Sequence, residues 1–133
     1  MRSFVSLFPA GINVGATWDR RLAYERGKAM GFENRDKGIT VLLGPNAGAL
    51  GRSPASGRNW EGFSPDPYLT GKLFADSIRG IQSTGVQACA KHYVGNEQEH
   101  FRQTPESRDY GFNITQPGSS NICLLYTSPS PRD

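Results

Sequence analysis

Apolar and polar positions alternate along this chain in three distinct ways, and each predicts a different element. Leu69, Leu73, Phe74, Ile78 and Ile81 recur at helical spacing. Asp66-Pro67 ahead of them supplies an N-cap followed by proline at the first helical position, and Gly85 closes the stretch. Ile39-Thr40-Val41-Leu42-Leu43 is instead nearly continuous in apolar, β-branched residues, the pattern of a parallel strand buried on both faces. Val86-Gln87-Ala88-Cys89-Ala90 reads as the next such strand. Ile12, Val14 and Ala16 alternate with smaller or polar residues and predict a short strand near the start. Between these, Thr17 or Asp19 caps a helix running to about Asp36. Ala23, Gly27 and Met30 lie on one face of it, Leu22 and Ala29 at the flanks, and Gly38 sits where a C′ glycine ends a helix. The order strand, helix, strand, loop, helix, strand implies an α/β fold with parallel strands and right-handed crossovers.

The segment from Gly44 to Pro67 holds Gly, Pro, Ser, Asn and Arg with little periodicity. A loop of that length is characteristically functional or disordered. Beyond Tyr93 the pattern weakens, with a polar stretch from Asn96 to Gln103 and a Pro/Ser-rich end from Gln116 onward that reads as disordered. The 133 residues suffice for one ordinary domain, but a closed eight-stranded barrel takes about 250. Net charge is +3, spread along the chain and mostly arginine, with no basic run of the kind that binds nucleic acid. No apolar run approaches the roughly 20 residues of a membrane span. Pro9 and Gly11 interrupt the first apolar stretch too early for a signal-peptide core, so any secretion signal would have to lie upstream. Cys89, placed in a predicted buried strand, reads as a small hydrophobe, and Cys123 forms no spacing motif with it.

The richest candidate chemistry is Ala90-Lys91-His92-Tyr93, a cation and an imidazole side by side where a buried strand should stop. Barrel-type α/β enzymes do their chemistry at that end of a strand. Arg58 lies in the loop after the preceding strand. Loops after neighbouring parallel strands open on one edge, so Arg58 is expected to approach Lys91 and His92 and to offer its fork of donors to hydroxyls or a carboxylate. Trp60 is expected to pack under its own loop rather than stack on a sugar ring. His92, Glu97, Glu99 and His100 fit no zinc spacing, and nothing orients Glu97 and Glu99 as a catalytic pair. Asn113-Ile114-Thr115 is an acceptor pattern for N-glycosylation.

Three stretches together carry a resemblance. Phe8-Pro9-Ala10-Gly11-Ile12-Asn13-Val14-Gly15-Ala16-Thr17-Trp18-Asp19, the pair Leu43-Gly44-Pro45-Asn46-Ala47-Gly48-Ala49-Leu50-Gly51-Arg52 and Gly57-Arg58-Asn59-Trp60-Glu61-Gly62-Phe63-Ser64-Pro65-Asp66-Pro67, and Ala88-Cys89-Ala90-Lys91-His92-Tyr93-Val94-Gly95-Asn96-Glu97-Gln98-Glu99 resemble fungal β-glucosidases of glycoside hydrolase family 3. The resemblance runs from about Phe8 to about Ser120. It implies that residues 8–120 are a piece of an N-terminal (β/α)8-like barrel, with about three parallel strands and crossover helices, and that 121–133 form an unrelated tail. It implies hydrolysis of terminal, non-reducing β-D-glucosyl residues with retention, on β-glucosides such as cellobiose and so in cellulose degradation, without a metal or cofactor. By the same resemblance Arg58, Lys91 and His92 match residues that hydrogen-bond the glucose of the −1 subsite, and Asn113 falls where fungal members carry a glycosylation sequon, which favours secretion. The family's nucleophilic aspartate and acid/base glutamate lie in later segments that these residues do not match, so the chain by itself is expected to be inactive. The rival expectations are a non-catalytic carbohydrate-binding module using Arg58, Lys91, His92 and Trp60, and, well below it, a basic nucleic-acid-binding domain.

Overall fold

The computed structural model describes residues 4–48 and 58–92. Their elements run α1 (Gly11–Gly15), α2 (Arg20–Asp36), β1 (Val41–Leu42), a 3-10 turn (Asn59–Glu61), α3 (Pro67–Gln82) and β2 (Gln87–Ala88). The two long helices start where their capping residues stand. Asp19 is extended, and its Oδ1 accepts from the backbone N–H groups of Arg21 at 2.7 Å and Leu22 at 3.2 Å. Asp66 caps α3, its Oδ1 accepting from Tyr68 N–H and its Oδ2 from Leu69 N–H, with Pro67 next. Each such cap is worth about 1 kcal/mol. Lys37 caps the C-terminus of α2, and Gly38 follows at φ 72°.

The helices α2 and α3 pack on each other through small residues. Ala23, Gly27 and Gly31 are the buried positions of α2, while Met30 is only half-buried and Leu22 and Ala29 are exposed. A Cβ on Gly27 would lie 2.5 Å from the carbonyl oxygen of Ser77, so only glycine allows the two backbones this close. Ser77 Oγ donates to the Ala23 carbonyl at 3.3 Å. Asp76, buried at the same seam, accepts from Arg20 Nε and from an Arg79 guanidinium nitrogen, each at 2.7 Å. The Arg20 hydrogen bond, ahead of burial acting the other way, holds the Asp76 carboxyl below its ordinary range. Val14, Ala23, Phe63 and Leu73 form the core, flanked by Leu69 and Phe74.

Strands β1 and β2 are parallel, with Val41 opposite Gln87 and Leu42 opposite Ala88. The pairing extends outward through Gln87 N–H to Thr40 O (2.8 Å) and Cys89 N–H to Leu42 O (2.9 Å), and resumes as a bridge between Asn46 and Lys91. The α/β class with parallel strands is therefore present, but several expectations need correction. The segment around Ile12, Val14 and Ala16 is the helix α1, not a strand. Its buried positions are Gly11, Val14 and Gly15, which share one helical face, while Ile12 is exposed. Two strands, not three, occur among the described residues. The strand Ile39–Leu43 is not covered on both faces. Val41 is exposed and Leu43 is 72% exposed, because among the described residues β1 has β2 as its one paired neighbour. Cys89 is likewise exposed rather than buried, since the buried strand-end positions are Val86 and, partly, Ala88. The expectations for Asn96–Gln103, Asn113, Cys123 and the 121–133 tail lie outside the described residues.

Leu73 is fully buried in this core. Leu73→Ala is expected to lower the unfolding free energy by about 2–5 kcal/mol, measured by urea denaturation followed in the far ultraviolet.

Candidate functional site

The site grows out of the parallel pairing. Lys91 N–H donates to Pro45 O at 3.2 Å and Ala47 N–H donates to Lys91 O at 2.8 Å, so the backbone of Lys91 is pinned on both sides of Asn46. Asn46 is buried, and its Oδ1 accepts from Gly48 N–H at 2.6 Å, which closes the turn after β1. Gly44-Pro45 and Lys91-His92 are cis peptides.

The second contributor is the 3-10 turn. In 3-10 geometry residues three apart lie on one face, and Arg58 and Glu61 use that spacing. Arg58 Nε donates to Glu61 Oε1 at 2.7 Å and a terminal guanidinium nitrogen donates to Oε2 at 3.1 Å, a bidentate fork. Lys91 Nζ reaches the same carboxylate, 2.8 Å from Oε2. The three side chains are largely covered, with 16% of Arg58, 20% of Glu61 and 22% of Lys91 exposed. The turn itself is anchored on both flanks. Phe63 is buried in the core, Thr70 Oγ1 donates to Ser64 O at 2.8 Å, and a side chain at Gly11 would run into the carbonyl of Glu61, so α1 presses directly on the turn.

The electrostatics follow from this geometry. Partial burial pushes the Glu61 carboxyl up, but hydrogen bonds from Arg58 and Lys91, together with their charges, more than offset it and hold it at about 2. A carboxylate so placed stays ionised at neutral pH, and both its oxygens are engaged by cations. It cannot serve as a proton donor there and is a poor nucleophile. Among the described residues, Arg58, Lys91 and Glu61 together carry one net positive charge. A cleft of about 390 Å³ opens beside it, lined among others by Leu42, Leu43, Asn46, Trp60, Glu61 and Lys91. Trp60 is 58% exposed at this cleft rather than packed under its loop, because Phe63 takes the core position instead.

The sequence-predicted residues Arg58 and Lys91 are thus brought together across 33 positions by a shared partner, and His92 follows Lys91 half-buried. Glu61 itself went unread, although its i,i+3 spacing from Arg58 was visible. Glu97, Glu99 and His100 lie outside the described residues.

The N-terminal domain of glycosyl hydrolase family 3 matches residues 1–109. The chain belongs to this family. It is 69% identical over 122 residues to a probable β-glucosidase A of Aspergillus terreus, covering 92% of this chain and 14% of that protein. It is 68% identical over 117 residues to β-glucosidase 1 of Aspergillus aculeatus, covering 88% and 14%. Among solved structures, the family 3 β-glucosidase of Neurospora crassa superposes with a TM-score of 0.72 at 64% identity over 81% of this chain and 13% of its own. β-Glucosidase 3B of Thermotoga neapolitana, determined with α-D-glucose, gives 0.68 at 46% identity over 73% and 13%. The family 3 chain described here therefore spans about one seventh of the length of the curated relatives it matches.

The Glu61 carboxyl sits below its ordinary value of 4.5 in the folded family 3 domain. The ion cluster accordingly stabilises the fold above about pH 4.5, and that contribution is lost as the pH falls towards 2. Denaturation midpoints of the unmodified chain and of Glu61→Gln are expected to differ at neutral pH, with the unmodified chain more stable, and to converge as the pH approaches 2.

Proposed function

We propose that this chain supplies the sugar-binding floor of a β-glucosidase, an enzyme that removes terminal β-D-glucosyl residues from substrates such as cellobiose with retention of configuration. The observation that carries the reading is the convergence of Arg58 and Lys91 on Glu61 at one edge of the parallel sheet. Two fixed cations with hydrogen-bond donors, beside a cleft with an exposed indole, suit the vicinal hydroxyls and apolar face of a pyranose. His92, next in the chain, adds an imidazole to the set. The high identity to fungal β-glucosidases supports glucose as the sugar. On this reading β1 and β2 belong to a (β/α)8-type barrel, whose loops carry the site at the C-terminal ends of its strands.

Retaining hydrolysis takes two carboxyl groups about 5 Å apart, one as nucleophile and one as acid/base. Glu61 is unsuited to either role, being held ionised and engaged by two cations. The family's catalytic pair belongs to segments that these 133 residues do not match, so the chain binds sugar without turning it over. The Asn113-Ile114-Thr115 sequon supports a glycosylated, secreted protein. An exposed Trp60 also favours a second reading, a carbohydrate-binding module that never hydrolyses.

Calorimetry of the chain with glucose and cellobiose tests the binding. Lys91→Ala is expected to weaken it by tenfold or more, as loss of a charge-assisted hydrogen bond costs about 1.5–3 kcal/mol. No release of aryl alcohol from an aryl β-glucoside is expected from the chain alone. Absence of sugar binding by the folded chain overturns the proposal, and turnover by the purified chain overturns the assignment of the carboxyl pair elsewhere. Joining the chain to the remaining segments of a relative separates the two readings: hydrolysis appears only if the chain is part of an enzyme.

A further inference from the structure

Arg58 and Lys91 present the cleft with a problem that the sequence alone does not display. Each carries a full charge, and each lies 2.7–2.8 Å from the same carboxylate. Without that carboxylate, two largely covered cations would stand within a few ångströms of each other, repelling one another and attracting any anion able to take both. With it, the pair is held in one geometry and half of its positive charge is cancelled. The remaining capacity is that of hydrogen-bond donors. Lys91 carries two ammonium protons beyond the one that Glu61 accepts.

We propose that Glu61 is a positioning and specificity residue, which locks Arg58 and Lys91 in place and makes the cluster a receptor for uncharged sugar hydroxyls rather than for carboxylates or sulfates. The proposal deepens the sugar-binding reading and rests on it for the identity of the ligand. Glu61 acts through Arg58 and Lys91, and its backbone is independently fixed. The carbonyl of Glu61 lies against Gly11, and Phe63 two residues on is in the core. Removing the charge therefore leaves the turn in position and takes from both cations the carboxylate they share. The competing ligand is an acidic counterpart of the same sugar. Glucuronate differs from glucose by a carboxylate at one carbon, so the pair isolates the effect of charge.

Binding of glucose, glucuronate and sulfate is measured by calorimetry for the unmodified chain, Glu61→Gln and Glu61→Asp. The unmodified chain is expected to favour glucose over glucuronate. Glu61→Gln is expected to lose roughly tenfold in glucose affinity and to gain roughly tenfold for glucuronate and sulfate. Glu61→Asp keeps the charge but falls one methylene short, so it should lose glucose affinity without gaining affinity for anions. Equal ligand preferences in Glu61→Gln and the unmodified chain overturn the proposal. Should the unmodified chain bind no glucose, the sugar reading fails, and the positioning role is decided separately by carbon NMR of the Glu61 carboxyl. Titration near pH 2 that moves up in Lys91→Met supports it, and ordinary titration in the unmodified chain overturns it. Each variant is also made as a full-length enzyme in which this chain replaces the segment it matches in the Aspergillus terreus relative. A variant whose isolated chain does not fold is read there, as the ratio of inhibition by glucose to inhibition by glucuronate.

Discussion

The parallel register between β1 and β2 is the constraint from which the site follows. Two strands that run the same way, joined through the long loop and α3, send the segments after them to the same edge. An antiparallel pair would have placed the residues after Leu42 and those after Ala88 at opposite ends. The strands are short, but the register continues past them, because the peptide groups of Pro45, Ala47 and Lys91 bond across the gap on either side of Asn46. Once the main chain of Lys91 is held there, what remains variable is its own four-carbon stem. A contact with one fixed carboxylate removes that freedom. Order at the site thus passes from backbone pairing to a single side-chain ion pair.

The form of the ion cluster also has a physical reason. Guanidinium matches a carboxylate with two parallel N–H bonds, while an ammonium is a point charge without such a plane. Arg58 takes both oxygens of Glu61 and fixes the plane of the carboxylate; Lys91 then approaches one of them from another segment. Burying three charged groups to this degree would be unfavourable for any one of them alone. Collectively they retain a net charge of one, and the deep depression of the Glu61 carboxyl is the electrostatic mark of that compensation. The Asp76 seam between α2 and α3 repeats the arrangement, one carboxylate between Arg20 and Arg79, but with both guanidinium groups reaching well into solvent. That exposure makes it a seam on the helical layer, whereas the three groups of the Glu61 cluster are largely covered beside their cleft.

The helical layer was legible because its signals are local. Asp19, Asp66-Pro67 and Gly38 mark helix ends through bonds made within a few residues, and α2 and α3 begin and end accordingly. The segment at Ile12 was misread for a local reason too. Glycines counted as spacers there, whereas Gly11 and Gly15 are buried with Val14 on one face of α1. Burial was the less legible property. Leu43 and Cys89 have the composition of strand interiors, but whether such residues are covered depends on what packs beside them, which no window of sequence contains. For the site, topology made the meeting of Arg58 and Lys91 readable. The partner that unites them was overlooked because a glutamate beside a tryptophan in a glycine-rich loop carries no periodic signal; only its three-residue offset from Arg58 did.

The placement of Trp60 shows how core packing and site chemistry are coupled in this loop. Two aromatic residues, Trp60 and Phe63, stand three apart around the turn, and only one of them enters the core. Phe63 sits immediately beyond Gly62, where the chain becomes extended and descends between α1 and α3. With that anchor in place, the preceding 3-10 turn is lifted onto the sheet edge, and its side chains divide between the carboxylate that meets Lys91 and the indole that faces the cleft. Burying Trp60 instead would pull Glu61 away from the edge, and the two cations would lose their common partner. The exposed indole is thus a consequence of the same packing choice that assembles the ion cluster.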